Sequence, residues 1–136
     1  MASYLDTNWN YDSDDLVEVF DELPLWAAPF GLKLLEQIRI RGGMQVLDVG
    51  FGSGFPLTEL AMRLGQAALV TGIDPWEAAI RRAEKKIVRY GITNARIIRG
   101  QAEKIPLGDS TQDLVVSNNG LNNVRDIEQA LAECAR

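Results

Sequence analysis

The sequence of 136 residues contains no histidine. That absence removes a histidine general base, a Ser-His-Asp or Cys-His nucleophile pair and any imidazole-bound metal. Cysteine is nearly absent too. Cys134 stands alone, which excludes an internal disulfide and a thiolate metal cluster and is compatible with a reducing cytoplasm. No apolar run approaches the roughly 18 to 20 residues that spanning a bilayer requires. The N-terminal MASYLDTNWNYDSDD also lacks the basic start and apolar stretch of a secretory signal. These absences read as a soluble cytoplasmic protein without a membrane partner. Basic residues are outnumbered, with 14 Lys and Arg against 19 Asp and Glu for a net charge of −5, so a basic footprint for nucleic acid is missing. What is present is ordinary globular composition, 46% hydrophobic and 24% charged, long enough to bury one core.

The first dozen residues are polar and aperiodic and read as an arm without regular structure. From Asp14, DDLVEVFDEL places Leu16, Val19, Phe20 and Leu23 on one helical stripe, with acids near the N-terminus and Pro24 as a stop. A second helix is expected from Pro29 through GLKLLEQIRI to Gly42 and Gly43. MQVLDVG is too short for a helix and suits a strand buried on both faces. Beyond it the pattern alternates. PLTELAMRLG is helical, ALVTGID a strand, WEAAIRRAEKKIVRYG a helix, ARIIRG and DLVVSN two further strands, and DIEQALAECAR a helix. This alternation predicts an α/β fold, a parallel sheet built by right-handed crossovers with helices on both faces. The basic run Arg81, Arg82, Lys85, Lys86 and Arg89 sits at helical spacing and reads as a solvated face, paired in part with Glu77 and Glu84.

VLDVGFGSGFP is the most informative stretch. Gly50, Gly52 and Gly54 follow a buried strand and open a helix, so the backbone can turn sharply and approach a ligand without a Cβ in the way. Asp74 lies 24 residues after Gly50 at the end of the next strand, where an acid accepts hydrogen bonds from a ribose diol. The alternative for Asp74, which precedes Pro75, is a turn residue or helix cap. A dinucleotide fingerprint would have glycine where this chain has Phe55, and Asp48 would lie near a pyrophosphate. A ligand carrying an ammonium group and a ribose but no phosphate, such as S-adenosylmethionine, suits both departures. An acid buried at Asp48 is costly without such a partner.

VLDVGFGSG, GIDP and GQAEKIPLGDSTQDLVVSNNGLNNV, in this order and spacing, resemble the motifs of class I S-adenosylmethionine-dependent methyltransferases. The similarity is greatest to the ubiquinone/menaquinone-biosynthesis type of small-molecule enzyme. The resemblance covers roughly residues 31–136. It implies a Rossmann-like sheet in the order 3-2-1-4, preceded by an N-terminal helical cap. Residues 1–28 would form the arm and cap helix and residues 29–136 the cofactor-binding domain. By this resemblance Asp48 would hold the methionyl ammonium directly or through water, and Gly50 and Gly52 would pass beside the methionyl group and ribose. Asp74 would bind the ribose hydroxyls, while Pro75 and Trp76 would cover an adenine face. Gln101, Ala102 and Glu103 stand where the family usually shows Asp-Ala-Glu, so the Gln101 side chain would reach the adenine amino group and the Ala102 amide a ring nitrogen. Asn118 and Asn119 would face the transferring methyl group. Many relatives carry a histidine pair where this chain has Asn122 and Asn123, which makes deprotonation of the acceptor by these residues implausible.

Trp9, Tyr11 and Trp26 either lid the site or are core aromatics of the leading helices. Family members continue past this point with further strands, so the chain is expected to be the N-terminal part of the family fold, with its C-terminal strands missing. The fourth strand would then leave an apolar edge, open to pairing with a second copy. The expected activity is methyl transfer to a small-molecule acceptor, or the cofactor-binding portion of such an enzyme. A non-catalytic binding module is the alternative, and an NAD-linked oxidoreductase is disfavoured by Phe55 and Asp48.

Overall fold

A computed structural model describes residues 8–22 and 27–136. The helices are α1 (Asp14–Glu22), α2 (Ala28–Gln37), α3 (Leu57–Leu64), α4 (Glu77–Arg89) and α5 (Ile127–Ala135). The strands are β1 (Gln45–Val49), β2 (Leu69–Asp74), β3 (Ala95–Arg99) and β4 (Leu114–Val116), and a short 3-10 turn spans Leu121–Asn123. Together the described strands form a parallel sheet in the order β3-β2-β1-β4. This is the expected order.

Alternation along β1 decides how the two faces are filled. Val46 turns to one side, where Leu57, Leu60 and Ala61 of α3 and Ile80 and Ala83 of α4 meet Val70 and Leu35. Leu47 and Val49 turn to the other, where they pack with Ile73, Ile105 and Ala130 of α5. Burial on both faces makes β1 and β2 mainly apolar, with Asp48, Thr71 and Asp74 the buried polar residues among them. Buried Asn94 closes the end of α3, donating from Nδ2 to the carbonyls of Ala61 and Gly65, both at 2.8 Å. Asp126 caps α5 by accepting from the Gln129 amide.

Three local expectations are corrected. First, α2 ends at Gln37 rather than running on through Ile40, because Ile38 turns extended and packs against the core. Second, the α1 stripe does not enter the sheet core. Val17 is the buried residue, packed with Ala78 and Ala79, whereas Val19 is 58% exposed and Leu16 and Phe20 face a cavity. Leu23 and Trp26 lie outside the described residues. Third, the basic run of α4 is not a face paired with Glu77 and Glu84. Its cations pair with acids of α1: Arg81 with Asp14 at 2.7 Å, and Arg82 with Asp21 at 2.9 Å and Glu18 at 3.4 Å. Lys86 also pairs with Asp21. Asp14, Glu18 and Asp21 recur at helical spacing on one side of α1, so the two charged stripes meet. Glu77 pairs with Arg99 instead. Among the described residues no helix is long and apolar enough to cross a membrane.

Candidate functional site

A cavity of ≈ 1010 Å³ opens beyond the C-terminal ends of β1, β2 and β4. In open α/β sheets this is where ligands bind. Its floor is the loop that leaves β1. Gly50 adopts φ +77°, and a Cβ there would stand 2.4 Å from Gly120 Cα, so both loops depend on glycine to approach each other. At Gly52, φ is +54° and no heavy atom lies within 4 Å of where a Cβ would be, which leaves open space above the loop. Gly54 is different. It lies off the cavity wall, and a Cβ there would come within 3.3 Å of Ala83 Cβ, so it serves the packing of α4.

Asp74 ends β2 on the cavity wall and binds both neighbouring segments. Its Oδ2 accepts from the Gly52 amide and its Oδ1 from the Trp76 amide, each at 2.8 Å. Burial raises its pKa above the usual carboxylate range, opposed by those amides. Each oxygen keeps lone-pair capacity for a further donor. Pro75 and Trp76 continue the wall. The Trp76 ring meets Tyr11 edge-on at 6.1 Å and Phe20 at 5.7 Å, and its indole N–H donates to the Tyr11 carbonyl. Trp9 and Tyr11 thus line the cavity from the arm, together with Leu16 and Phe20 of α1.

Asp48 is placed differently from the ligand-contacting residues. It is wholly buried, is absent from the cavity wall, and among the described residues neither carboxyl oxygen accepts a well-formed hydrogen bond, the Leu57 amide approaching only weakly. Burial, then the nearby Asp74 charge, push its pKa up to about 8, and the Leu57 amide at the start of α3 opposes this only in part. The acid lies at the end of β1, behind the glycine loop and off the cavity wall.

Gln101, Ala102 and Glu103 all reach the wall, but the Glu103 carboxylate is already engaged. It accepts from the Arg125 amide at 2.8 Å and the Asp126 amide at 3.2 Å, holding the approach to α5. Hydrogen bonds from backbone amides, its own first, lower its pKa. Asn118 and Asn119 follow β4 on the wall, with Asn118 Nδ2 donating to the Ala27 carbonyl at 3.2 Å. Asn123 lines the cavity and Asn122 does not. Sequence reasoning missed Gly120, Ser53, Asp21 and the inward position of Phe55. Only the NNGL turn signalled one of them. Phe55 lies over Gly31, where a Cβ would meet its ring at 2.1 Å. Asp21 is held below the usual carboxylate range: burial pushes it up, but hydrogen bonds from Lys86, Ser53 and Arg82 outweigh that.

The open space over Gly52, the spare acceptor capacity of Asp74 and the adjacent aromatic ring fit a nucleoside bearing an amino-acid tail. Similarity to known proteins points the same way. The chain is 29% identical to a demethylmenaquinone methyltransferase of Staphylococcus aureus, over 93% of this chain and 50% of that protein. It is 33% identical to the ubiquinone/menaquinone biosynthesis C-methyltransferase UbiE of Idiomarina loihiensis, over 71% of this chain and 39% of that protein. The chain thus spans about half the length, or less, of the curated relatives it matches. A solved structure of a SAM-dependent methyltransferase from Aquifex aeolicus superposes with a TM-score of 0.78 at 27% identity, covering 91% of this chain and 66% of that one. The family model described as "Methyltransferase domain" matches residues 47–136, so the chain belongs to the methyltransferase domain family, of the class I type that its motifs resemble.

Proposed function

We propose that this chain binds S-adenosylmethionine in the cavity and, as part of a methyltransferase, presents its methyl group to a small-molecule acceptor. Asp74 is the observation that carries this reading: one carboxylate positions both the glycine loop and the Trp76 amide beside open space, with acceptor capacity left for a ribose diol. Trp76 and Pro75 would cover the adenine, with Gln101 and the Ala102 amide reading its edge. The Gly50 and Gly52 backbone would flank the methionyl group, and Asp48 would act on the ammonium through water. When bound, the cofactor supplies an electrophilic methyl group on a sulfonium.

The chain's own residues align and shield. Asn118 and Asn119 would face the reacting end, while Trp9, Tyr11 and Phe20 exclude water from above. No histidine exists to deprotonate an acceptor. Asp21 is bound to cations and Glu103 to amides. The acceptor would be nucleophilic in itself or lose its proton to a carboxylate or a tyrosinate. An acidic chain and relatives named for quinone biosynthesis support a small molecule rather than nucleic acid, in the cytoplasm. A second reading is a non-catalytic cofactor-binding module that assembles with a second copy through the outer edge of β4, which has no strand partner among the described residues.

Calorimetry with S-adenosylhomocysteine and with NAD tests the proposal. Saturable binding of the first and none of the second is expected. NAD binding alone would overturn it. Binding without turnover in a chain extended to the length of its relatives would favour the second reading.

A further inference from the structure

The glycine loop is held from two sides. Asp74 fixes the Gly52 amide from the sheet. From the opposite side, and from a different element, Asp21 Oδ1 of α1 accepts from the Ser53 hydroxyl at 2.8 Å. Ser53 stands between Gly52 and Gly54, both at positive φ; the Gly54 amide closes the turn locally on the Phe51 carbonyl at 2.9 Å, and Asp21 adds the side-chain anchor from outside the loop. Asp21 is itself fixed, with Lys86 on Oδ1 and Arg82 Nε at 2.9 Å on Oδ2, and its side chain is only 11% exposed. The helix that supplies Asp21 also supplies Leu16 and Phe20 to the cavity wall and packs Phe20 on Trp76. Among the described residues its buried apolar contact with α4 is Val17 against Ala78 and Ala79, and ion pairs from Asp14, Glu18 and Asp21 join the same two helices.

We propose that Asp21 is a positioning residue for the glycine loop: by holding Ser53 from α1, it makes the loop's ligand-ready form and the closed aromatic wall a single linked state. The inference rests on the cofactor reading above. It implies that anything that loosens α1 also loosens the loop, and that salt does so because it weakens the more exposed Arg81–Asp14 and Arg82–Glu18 pairs that hold α1 on α4. A ligand lying on the loop should in turn tighten α1, since coupling between two sites is reciprocal.

The test is a double-mutant cycle read by the affinity and dissociation rate of S-adenosylhomocysteine, with Asp21→Ala, Ser53→Ala and the pair in the 136-residue chain. Each single change should weaken binding about tenfold, mainly through faster dissociation, and the pair should be no weaker than either alone. Added salt should speed dissociation from wild type and have little effect on the Asp21→Ala chain. Additive losses would mean that Asp21 touches the ligand itself, and wild-type affinity in Asp21→Ala would mean that it positions nothing; either overturns the proposal. If wild type does not bind S-adenosylhomocysteine, the cofactor reading fails, and the anchor is judged separately in the free chain. There, hydrogen exchange of the Gly52 and Gly54 amides should quicken about tenfold in both single variants. Unchanged exchange refutes the anchor.

Discussion

Replacing Asp48 by Asn should stabilise the chain, and by an amount that grows with pH. The wild-type carboxyl is wholly buried, neither oxygen accepts a well-formed hydrogen bond among the described residues, and its pKa rises from the ordinary 3.8 to about 8. Between those values the native state keeps the proton and the unfolded state has lost it. The native state therefore binds more protons, and stability falls as pH rises, with a slope approaching about 1.4 kcal/mol per pH unit. By pH 7 the accumulated loss is on the order of 4 kcal/mol, and it levels off above the native pKa. Asn has the same shape and does not titrate. Its own buried amide adds a pH-independent offset. Urea unfolding of both chains at pH 5, 6, 7 and 8 isolates the effect, because groups not coupled to Asp48 cancel in the difference, leaving Asp48 and its partner charge Asp74. The advantage of Asp48→Asn should grow by about 1.4 kcal/mol per unit between pH 5 and 7. A difference that stays flat refutes the assignment of a buried, proton-bearing acid. Saturating S-adenosylhomocysteine should flatten the wild-type profile, because an ammonium acting through water favours the carboxylate.

Gly50→Ala places a Cβ 2.4 Å from Gly120 Cα at a φ of +77°, a backbone clash with no flexible side chain to yield. A loss of about 3 kcal/mol in urea unfolding is expected, and one under about 1 kcal/mol would show that the two loops separate freely. Asp74→Ala removes the acceptor of the Gly52 and Trp76 amides together with the proposed ribose contact. Calorimetry should show S-adenosylhomocysteine bound at least about a hundredfold more weakly, since charge-assisted hydrogen bonds contribute about 1.5 to 3 kcal/mol each. Unchanged affinity would remove Asp74 from the site.

Local chemistry made much of this protein legible in its sequence. Short apolar runs closed by glycine marked β1 and β2, because a strand buried on both faces has no polar side to show. Alternation with helical segments implied parallel crossovers, and the order β3-β2-β1-β4 followed from the motif resemblance. Gly50, Gly52 and Asp74 were identifiable because a tight turn needs glycine and the strand end places the acid beside it. Tertiary structure decided what each exposed or half-apolar surface faces. Periodicity in α1 announced a stripe, but not that Leu16 and Phe20 would wall a cavity while Val17 packed on α4. The acids of α1 read as favouring a helix N-terminus and the cations of α4 as a solvated face, because pairing across more than sixty residues leaves no local mark. The same holds for Ser53 on Asp21, for Glu103 spent on the approach to α5, and for Asp48, whose strand position was plain but whose seclusion beneath the loop was not. Spacing encodes backbone conformation and the side of an element that is buried; which distant group meets that side depends on how the elements pack.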